Sequence, residues 1–274
     1  MILGMHSVLI CVLGEDMAEI YFLGTGGWVA TPQRDNTSVL LQAGGKLVLI
    51  DCPGGVVPRL RKLGFDPRRV STIILTHTHP DHIYGLPSFV HSLMLEVCEV
   101  GLMGSGETVA FARRLLDLFG LRAKRVRTRV RFCALRPGQV SHLDRSVSVR
   151  GFRVPHHSSS LAYHIYLDGG KKEMVLSGDT PVHPPLFEEA RGVDYLVHEA
   201  SAPAGYFRKF PRLYEIHTSS LDLGRWSEAA GVKCLIPCHF LADVWSEPGQ
   251  IRAEIRRRYK GRLIIPRDLQ RLAL

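Results

Sequence analysis

Short apolar runs rich in Val, Ile, Leu and aromatic residues recur along the chain, each bounded by Gly, Pro or polar residues. That pattern predicts strands over 19–23 (EIYFL), 38–42 (SVLLQ), 46–51 (KLVLID) and 70–75 (VSTIIL). Further strands are expected over 147–154, 161–167, 173–177, 194–198, 233–237 and 262–265. Apolar positions recurring every three or four residues predict helices over 56–63, 85–96, 106–119, 184–191, 218–230 and 249–259. Strands come in bursts with helices between them, as expected of an α/β protein with two sheets face to face and helices outside, a four-layer αββα sandwich. No repeat, low-complexity stretch or Pro/Gly/Ser-rich linker divides the chain, so one domain is expected over 18–274. The opening MILGMHSVLICVLG is apolar but too short to span a bilayer, and has no basic start or small-residue cleavage site. Met17 directly precedes AEIYFLGTGG, the first strand, so residues 1–17 read as an N-terminal extension or a mis-assigned start.

Composition narrows the partner. With 274 residues and 45% hydrophobic content the chain can fill a substantial core. Its 35 Lys and Arg against 26 Asp and Glu give a formal charge of +9, which favours an anionic partner such as a phosphoester or nucleic acid, and no membrane. The six cysteines form no CxxC pair, as expected of reduced thiols in a cytoplasmic protein, with Cys234 and Cys238 as core residues. Basic residues concentrate at 113–131 and 252–262, which either grip phosphate backbones or form solvated arginine-rich faces.

The chemistry gathers at THTHPDHIYGLP, residues 76–87. His77 and His79 lie two apart, so in an extended segment their side chains point the same way and can hold one ion. Asp81 and His82 follow where the chain turns into a helix, which aims them at a second position nearby. Two metal ions are therefore expected, with further ligands from elsewhere. Asp179 (VLSGDT), His239 (CLIPCHF) and His156 or His157 (FRVPHHSSS) sit at strand ends where they can supply them, although one such residue alone is more often a capping group. The glycine-rich FLGTGG lacks GxGxxG spacing and no helix follows, so a tight turn near the active face is expected rather than a dinucleotide site.

The succession HxHxDH, PHH, SGDT, HEAS, HTS and a late His resembles the metallo-β-lactamase superfamily, specifically its ribonuclease Z-like phosphodiesterase branch. The likeness runs from FLGTGG to LIIPRDLQRLAL. It implies two zinc ions, with manganese or iron as alternatives. One would be held by His77, His79 and His156, the other by Asp81, His82 and His239, with Asp179 bridging them. Tyr163, seven residues after His156, matches a strand tyrosine of the family, while His157 stays open as the alternative ligand. The resemblance also implies that Glu199 orients His217, which protonates the leaving oxygen, with His198 in a supporting place. Asp81 would take or orient the proton of a metal-bridging water whose pKa falls towards roughly 7, and the resulting hydroxide attacks phosphorus.

Members that process transfer RNA carry a protruding arm between the third ligand and the GDT aspartate. Here only the short interval from Tyr163 to Gly178 is available, and DCPGGV at 51–56 departs from the family's DCGEGT. A general phosphodiesterase is therefore expected, cyclic nucleotides and small esters included. The rivals are a transfer-RNA 3′-processing endoribonuclease and a lactone, thioester or sulfate-ester hydrolase with the same centre. A nucleic-acid-binding accessory protein with a vestigial site is the third. GYFRKFPRLY (205–214) joins the Glu199 and His217 elements, so Tyr206, Arg208 and Lys209 are candidate substrate contacts, or its aromatics simply pin the loop. The resemblance further implies a homodimer.

Overall fold

A computed structural model describes residues 18–242 and 248–274, so the extension expected at 1–17 lies outside the described residues. The first sheet is built from β1 (Glu19–Gly24), β2 (Ser38–Ala43), β3 (Lys46–Ile50), β4 (Val70–Ile74), β5 (Glu99–Gly104), β6 (Arg129–Ala134) and β14 (Gln270–Ala273). The second is built from β7 (Val140–His142), β8 (Ser148–Arg153), β9 (Leu161–Leu167), β10 (Lys172–Leu176), β11 (Tyr195–Glu199), β12 (Cys234–Cys238) and β13 (Arg262–Leu263). Their spatial orders are β14-β1-β2-β3-β4-β5-β6 and β13-β12-β11-β10-β9-β8-β7.

The strands read as nearly continuous apolar runs because both faces are covered. In β3, Val48 and Ile50 enter the core between the sheets, while Leu47 and Leu49 enter a second core beneath the helices. Likewise Ile236 of β12 faces the first sheet and Leu235 faces the outer helices. The helices are α1 (Val56–Lys62), α2 (Pro80–Ile83), α3 (Leu86–Ser92), α4 (Gly106–Leu118), α5 (Pro184–Glu189), α6 (Ala204–Lys209), α7 (Ser220–Ala229) and α8 (Pro248–Arg256). Leu60, Phe89 and Ala112 from α1, α3 and α4 pack on the first sheet; Leu186, Leu223 and Ile255 from α5, α7 and α8 pack on the second. This is the expected αββα sandwich.

All ten expected strands form, and four more were not foreseen. β5 (EVGLMG) is interrupted by Gly101, β7 and β14 are short, and β6 begins within the arginine-rich stretch, where no strand was expected. The helix expected over 85–96 ends at Ser92. Before it, the chain breaks between α2 and α3 at Gly85, where a Cβ would sit 2.0 Å from the Pro53 carbonyl oxygen. Among the described residues, no helix is long and apolar enough to cross a membrane.

Candidate metal centre

Parallel strands β3 and β4 finish side by side, and so do β10, β11 and β12 in the opposite sheet. The polar segments leaving these ends meet in the gap between the sheets. β4 passes through buried Leu75 and Thr76 into His77, and Pro80 then starts α2, a four-residue helix whose first turn carries Asp81 and His82 inward. Asp179 follows β10, Glu199 ends β11 and His239 follows β12, all buried. His156 comes from the turn between β8 and β9.

The side chains converge as two overlapping groups. His77 Nε2 and His156 Nε2 approach His79 Nδ1 at 3.0 and 3.1 Å. Asp179 Oδ2 lies 3.1 Å from His239 Nε2, 3.5 Å from His82 Nε2, 3.7 Å from His156 Nε2 and 3.9 Å from His77 Nε2. Asp81 Oδ2 lies 3.4 Å from His82 Nε2 and 3.5 Å from His239 Nε2. Asp179 thus touches both groups, and ligand-type atoms of His77, His79 and His156, and of Asp81, His82, Asp179 and His239, fall within 4.8 Å of one another in each set. His157 stays outside: it is exposed, hydrogen-bonds Ser159 Oγ at 2.8 Å, and only its ring edge approaches His79.

Hydrogen bonds behind the cluster set the imidazole tautomers. His82 Nδ1–H donates to Asp51 at 2.7 Å, and His77 Nδ1–H donates to Thr76 Oγ1, whose hydroxyl donates onward to Asp51. His156 Nδ1–H donates to the Ile216 carbonyl at 2.7 Å. The Nε2 lone pairs of His77, His82 and His156 therefore face the centre beside two buried carboxylates. The set is nearly all acceptors, and buried His82 Nε2 has no hydrogen-bond partner. Such a donor set fits divalent cations, and imidazoles with carboxylates suit zinc.

The electrostatics agree. Burial alone would raise the Asp81 pKa, but the contact from His239 and the neighbouring His82 imidazole outweigh it and hold the carboxyl well below its usual range. Asp179 is likewise held ionised against burial, by the charges of His239 and His82. Burial pushes His77 well below the ordinary histidine value. At His82 burial acts the same way, but Asp179 and Asp51 overcome it and the pKa lies well above. A lone proton there partly offsets charge that a cation would neutralise.

Beside this cluster His217 Nδ1–H donates to Glu199 at 2.9 and 3.1 Å, and a ring nitrogen of His217 lies within 4.8 Å of both His156 and Asp179. Burial disfavours protonated His217, but Glu199, and more distantly Asp179 and Asp81, outweigh it and its pKa is pushed up to about 9. Glu199 also accepts from Thr180 N, Ser201 Oγ and Thr218 N, so its carboxylate is fixed on every side.

Two expected residues stand apart from the converging side chains. His198 lies on the opposite face of β11, because neighbours along a strand face opposite ways; it stacks on Phe187 of α5, and its Nδ1–H donates to the Glu199 carbonyl at 2.8 Å, so its support is to the backbone only. Arg208 is exposed and does not line the cleft beside the centre, whereas Tyr206 and Lys209 do. That cleft encloses 530 Å³ and is also walled by Trp28, Phe210, Ile216 and Leu241. It adjoins the centre through Ile216, which precedes His217, and Leu241, two residues after His239. Gly27 of FLGTGG abuts the His239 ring, where a Cβ would come within 3.3 Å of Cε1.

Asp51 was missed as a site residue. Its backbone takes a positive φ of 59°, as His239 does at 58°, a conformation uncommon outside glycine that aims both side chains from strand ends into the gap. The signal was a lone carboxylate ending the apolar run KLVLID.

Fold and site together define a ribonuclease Z-like member of the metallo-β-lactamase superfamily, a metal-dependent hydrolase of the phosphodiesterase type. The family described as "Anti-Pycsar protein Apyc1" matches residues 18–219, and the chain belongs to it. The matched segment carries every converging side chain except His239. The chain is 28% identical over 277 residues to Ribonuclease Z of Mycobacterium marinum, covering 93% of this chain and 98% of that protein. Among solved structures it resembles the metallo-β-lactamase fold protein YhfI of Bacillus subtilis, with a TM-score of 0.78, 18% identity and coverage of 94% and 99%. It also resembles human tRNase Z, short form, with a TM-score of 0.74, 20% identity and coverage of 93% and 98%.

Proposed function

We propose that residues 18–274 form a hydrolase of small nucleotide-type phosphodiesters, cyclic nucleotides included, working as a cytoplasmic homodimer with two zinc ions, or manganese or iron in their place. His77, His79 and His156 would hold one ion and Asp81, His82 and His239 the other, with Asp179 shared. Divalent cations held there would lower the pKa of a bound water and neutralise charge developing on the phosphoryl oxygens. Asp81 takes or orients the proton of the attacking water. His217, held through Nδ1 by Glu199, delivers a proton to the departing alkoxide. The ester's organic portion lies in the cleft of Trp28, Tyr206, Phe210 and Ile216, with Lys209 countering phosphate charge.

The observation that carries this reading is the Glu199–His217 pair beside the ligand cluster. A leaving alkoxide needs such a proton donor. The β9–β10 connection supports a small substrate, because a single 3-10 turn, Asp168–Gly170, occupies the interval in which a transfer-RNA arm would be inserted. A second reading, cleavage of precursor transfer RNA, is favoured by the relatives named Ribonuclease Z and tRNase Z. Turnover of bis-p-nitrophenyl phosphate, a cyclic nucleotide, a precursor transfer RNA and a lactone panel, measured side by side, decides. Hydrolysis of the first two is expected. Cleavage of the RNA without the cyclic nucleotide would favour the second reading, and turnover of lactones alone would refute both.

A further inference from the structure

Residues 113–136 carry nine Lys and Arg side chains and one acid, Asp117, a formal +8 within a chain whose total is +9. The structure folds this stretch into the end of α4, a loop and β6, the outer strand of the first sheet. There it forms one wall of a groove of 900 Å³ at the starting ends of β5 and β6, lined by Arg122, Lys124, Arg127 and Arg129 against a single acid, Glu99, with Val97 and Cys98. Strands β3 to β6 run parallel, and the metal centre lies beyond the finishing ends of β3 and β4. The groove is therefore separated from the centre by the length of β5, roughly 20 Å for its six residues.

Little inside the protein neutralises this charge. Arg122 pairs with Asp117 and lies over the Phe132 ring, and Arg131 reaches Glu99 at 3.5 Å. Lys124, Arg125, Arg127 and Arg129 make no ion pair with a described residue. A solvated arginine face would intersperse both signs, whereas like charges crowded along one concavity repel each other unless an anion enters. Eight of the nine cations are arginine, whose planar fork matches phosphate. Arg125, Arg127, Arg129 and Arg131 recur at every second position, and Arg129 and Arg131 share one face of β6. Arg127 in the loop and Arg129 at the start of β6 line the groove with Arg122 and Lys124, and several cations along one concavity suit a partner with repeating opposite charge.

We propose that this groove binds the phosphate backbone of a single-stranded polynucleotide, at a surface distinct from the metal centre. A flat anionic membrane matches a concave groove poorly, and an acidic peptide lacks the phosphate that arginine forks recognise. Binding does not depend on hydrolysis, so its failure would leave the catalytic reading untouched.

The test uses the whole protein and a fluorescein-labelled oligodeoxythymidylate, with anisotropy read across a salt series and strand integrity checked on a gel. The protein is expected to bind, with affinity falling as salt rises. Lys124→Glu/Arg127→Glu/Arg129→Glu should weaken binding at least tenfold at moderate salt. It should also flatten the log K against log salt slope by about 2, since each lost phosphate contact contributes roughly 0.7 on a single strand. Arg252→Glu/Arg257→Glu/Arg258→Glu makes the same charge change on exposed residues of α8 and beyond, and should alter affinity less than twofold. Both triple variants should hydrolyse bis-p-nitrophenyl phosphate like the parent. Should the groove triple lose its fold, Arg127→Glu alone carries the test, with a slope change of about 0.7. The proposal is overturned if the parent fails to bind at low salt or if both triples weaken binding equally. It is overturned too if polyglutamate or phosphatidylserine vesicles bind more tightly than the oligonucleotide.

Discussion

His217 and Asp51 act through contacts that single substitutions can separate. If His217 protonates the leaving oxygen, its loss matters most where that oxygen leaves poorly. His217→Ala should therefore lower kcat on an alkyl phosphodiester by 10²–10⁴-fold, and by much less on bis-p-nitrophenyl phosphate, whose phenolate leaves without a proton. Equal losses on both esters would exclude the acid role. Asp51 accepts from His82 and Thr76 and so orients two imidazoles without facing the centre. Asp51→Asn should weaken metal affinity about 10–100-fold, read by competition with a chelator, while saturating metal restores turnover. Asp179→Ala removes the one carboxylate that approaches both groups, and metal content per chain measured by atomic emission should fall with it. Most of these residues were legible as candidates because strand-end His and Asp punctuate apolar runs. Asp51 shares that strand-end pattern, but its role behind His82 and Thr76 depends on a positive φ and on partners distant in sequence, which no single stretch contains.

The excursion between β11 and α7 links chemistry to packing. Buried Glu254 of α8 accepts from Ala204 N at 2.8 Å and Ser220 Oγ at 2.6 Å, fastening both feet of the segment that carries Tyr206, Lys209, Phe210 and His217. Glu254→Ala leaves two buried donors unmet and should cost about 1–3 kcal/mol in chemical denaturation. It should raise KM for a nucleotide ester more than for bis-p-nitrophenyl phosphate. α7 and α8 pack closely at Gly224, where a Cβ would lie 2.6 Å from the Ile255 carbonyl oxygen. Gly224→Ala should therefore destabilise the fold by about 1–3 kcal/mol in the same assay, because backbone rather than a flexible side chain must move. At this scale the apolar periodicity located every expected helix. α6 escaped it because six residues with two exposed cations carry too little pattern, and β6 escaped because arginines on one face masked Val130 and Phe132 on the other.

Across the whole molecule, the cavity between the sheets gathers two ionised carboxylates and five imidazoles that a cation would satisfy. Stripping metal with a chelator should lower the thermal midpoint, and zinc should restore it in a concentration-dependent way, as for any ligand that binds only the folded state. An unchanged midpoint would argue that the cluster holds no structural share of the stability. The charge is divided as unevenly as the chemistry, with residues 113–136 carrying a formal +8 of the chain's +9.

Residue order by itself determined which segments become strands and helices, because alternation and helical spacing are local properties of burial. It also determined which side chains can bind metal, because HTHPDH encodes a two-position grip within six residues. Which strand ends meet was decided only by tertiary structure. His77 and His239 stand 162 positions apart, and their approach depends on sheet order, register and the packing of one sheet on the other. The same long-range pairing chose His156 over His157, turned His198 away from the centre, and folded an arginine-rich run into a sheet edge. Contacts made across the core follow from how all the layers pack at once, and no short window of sequence contains that.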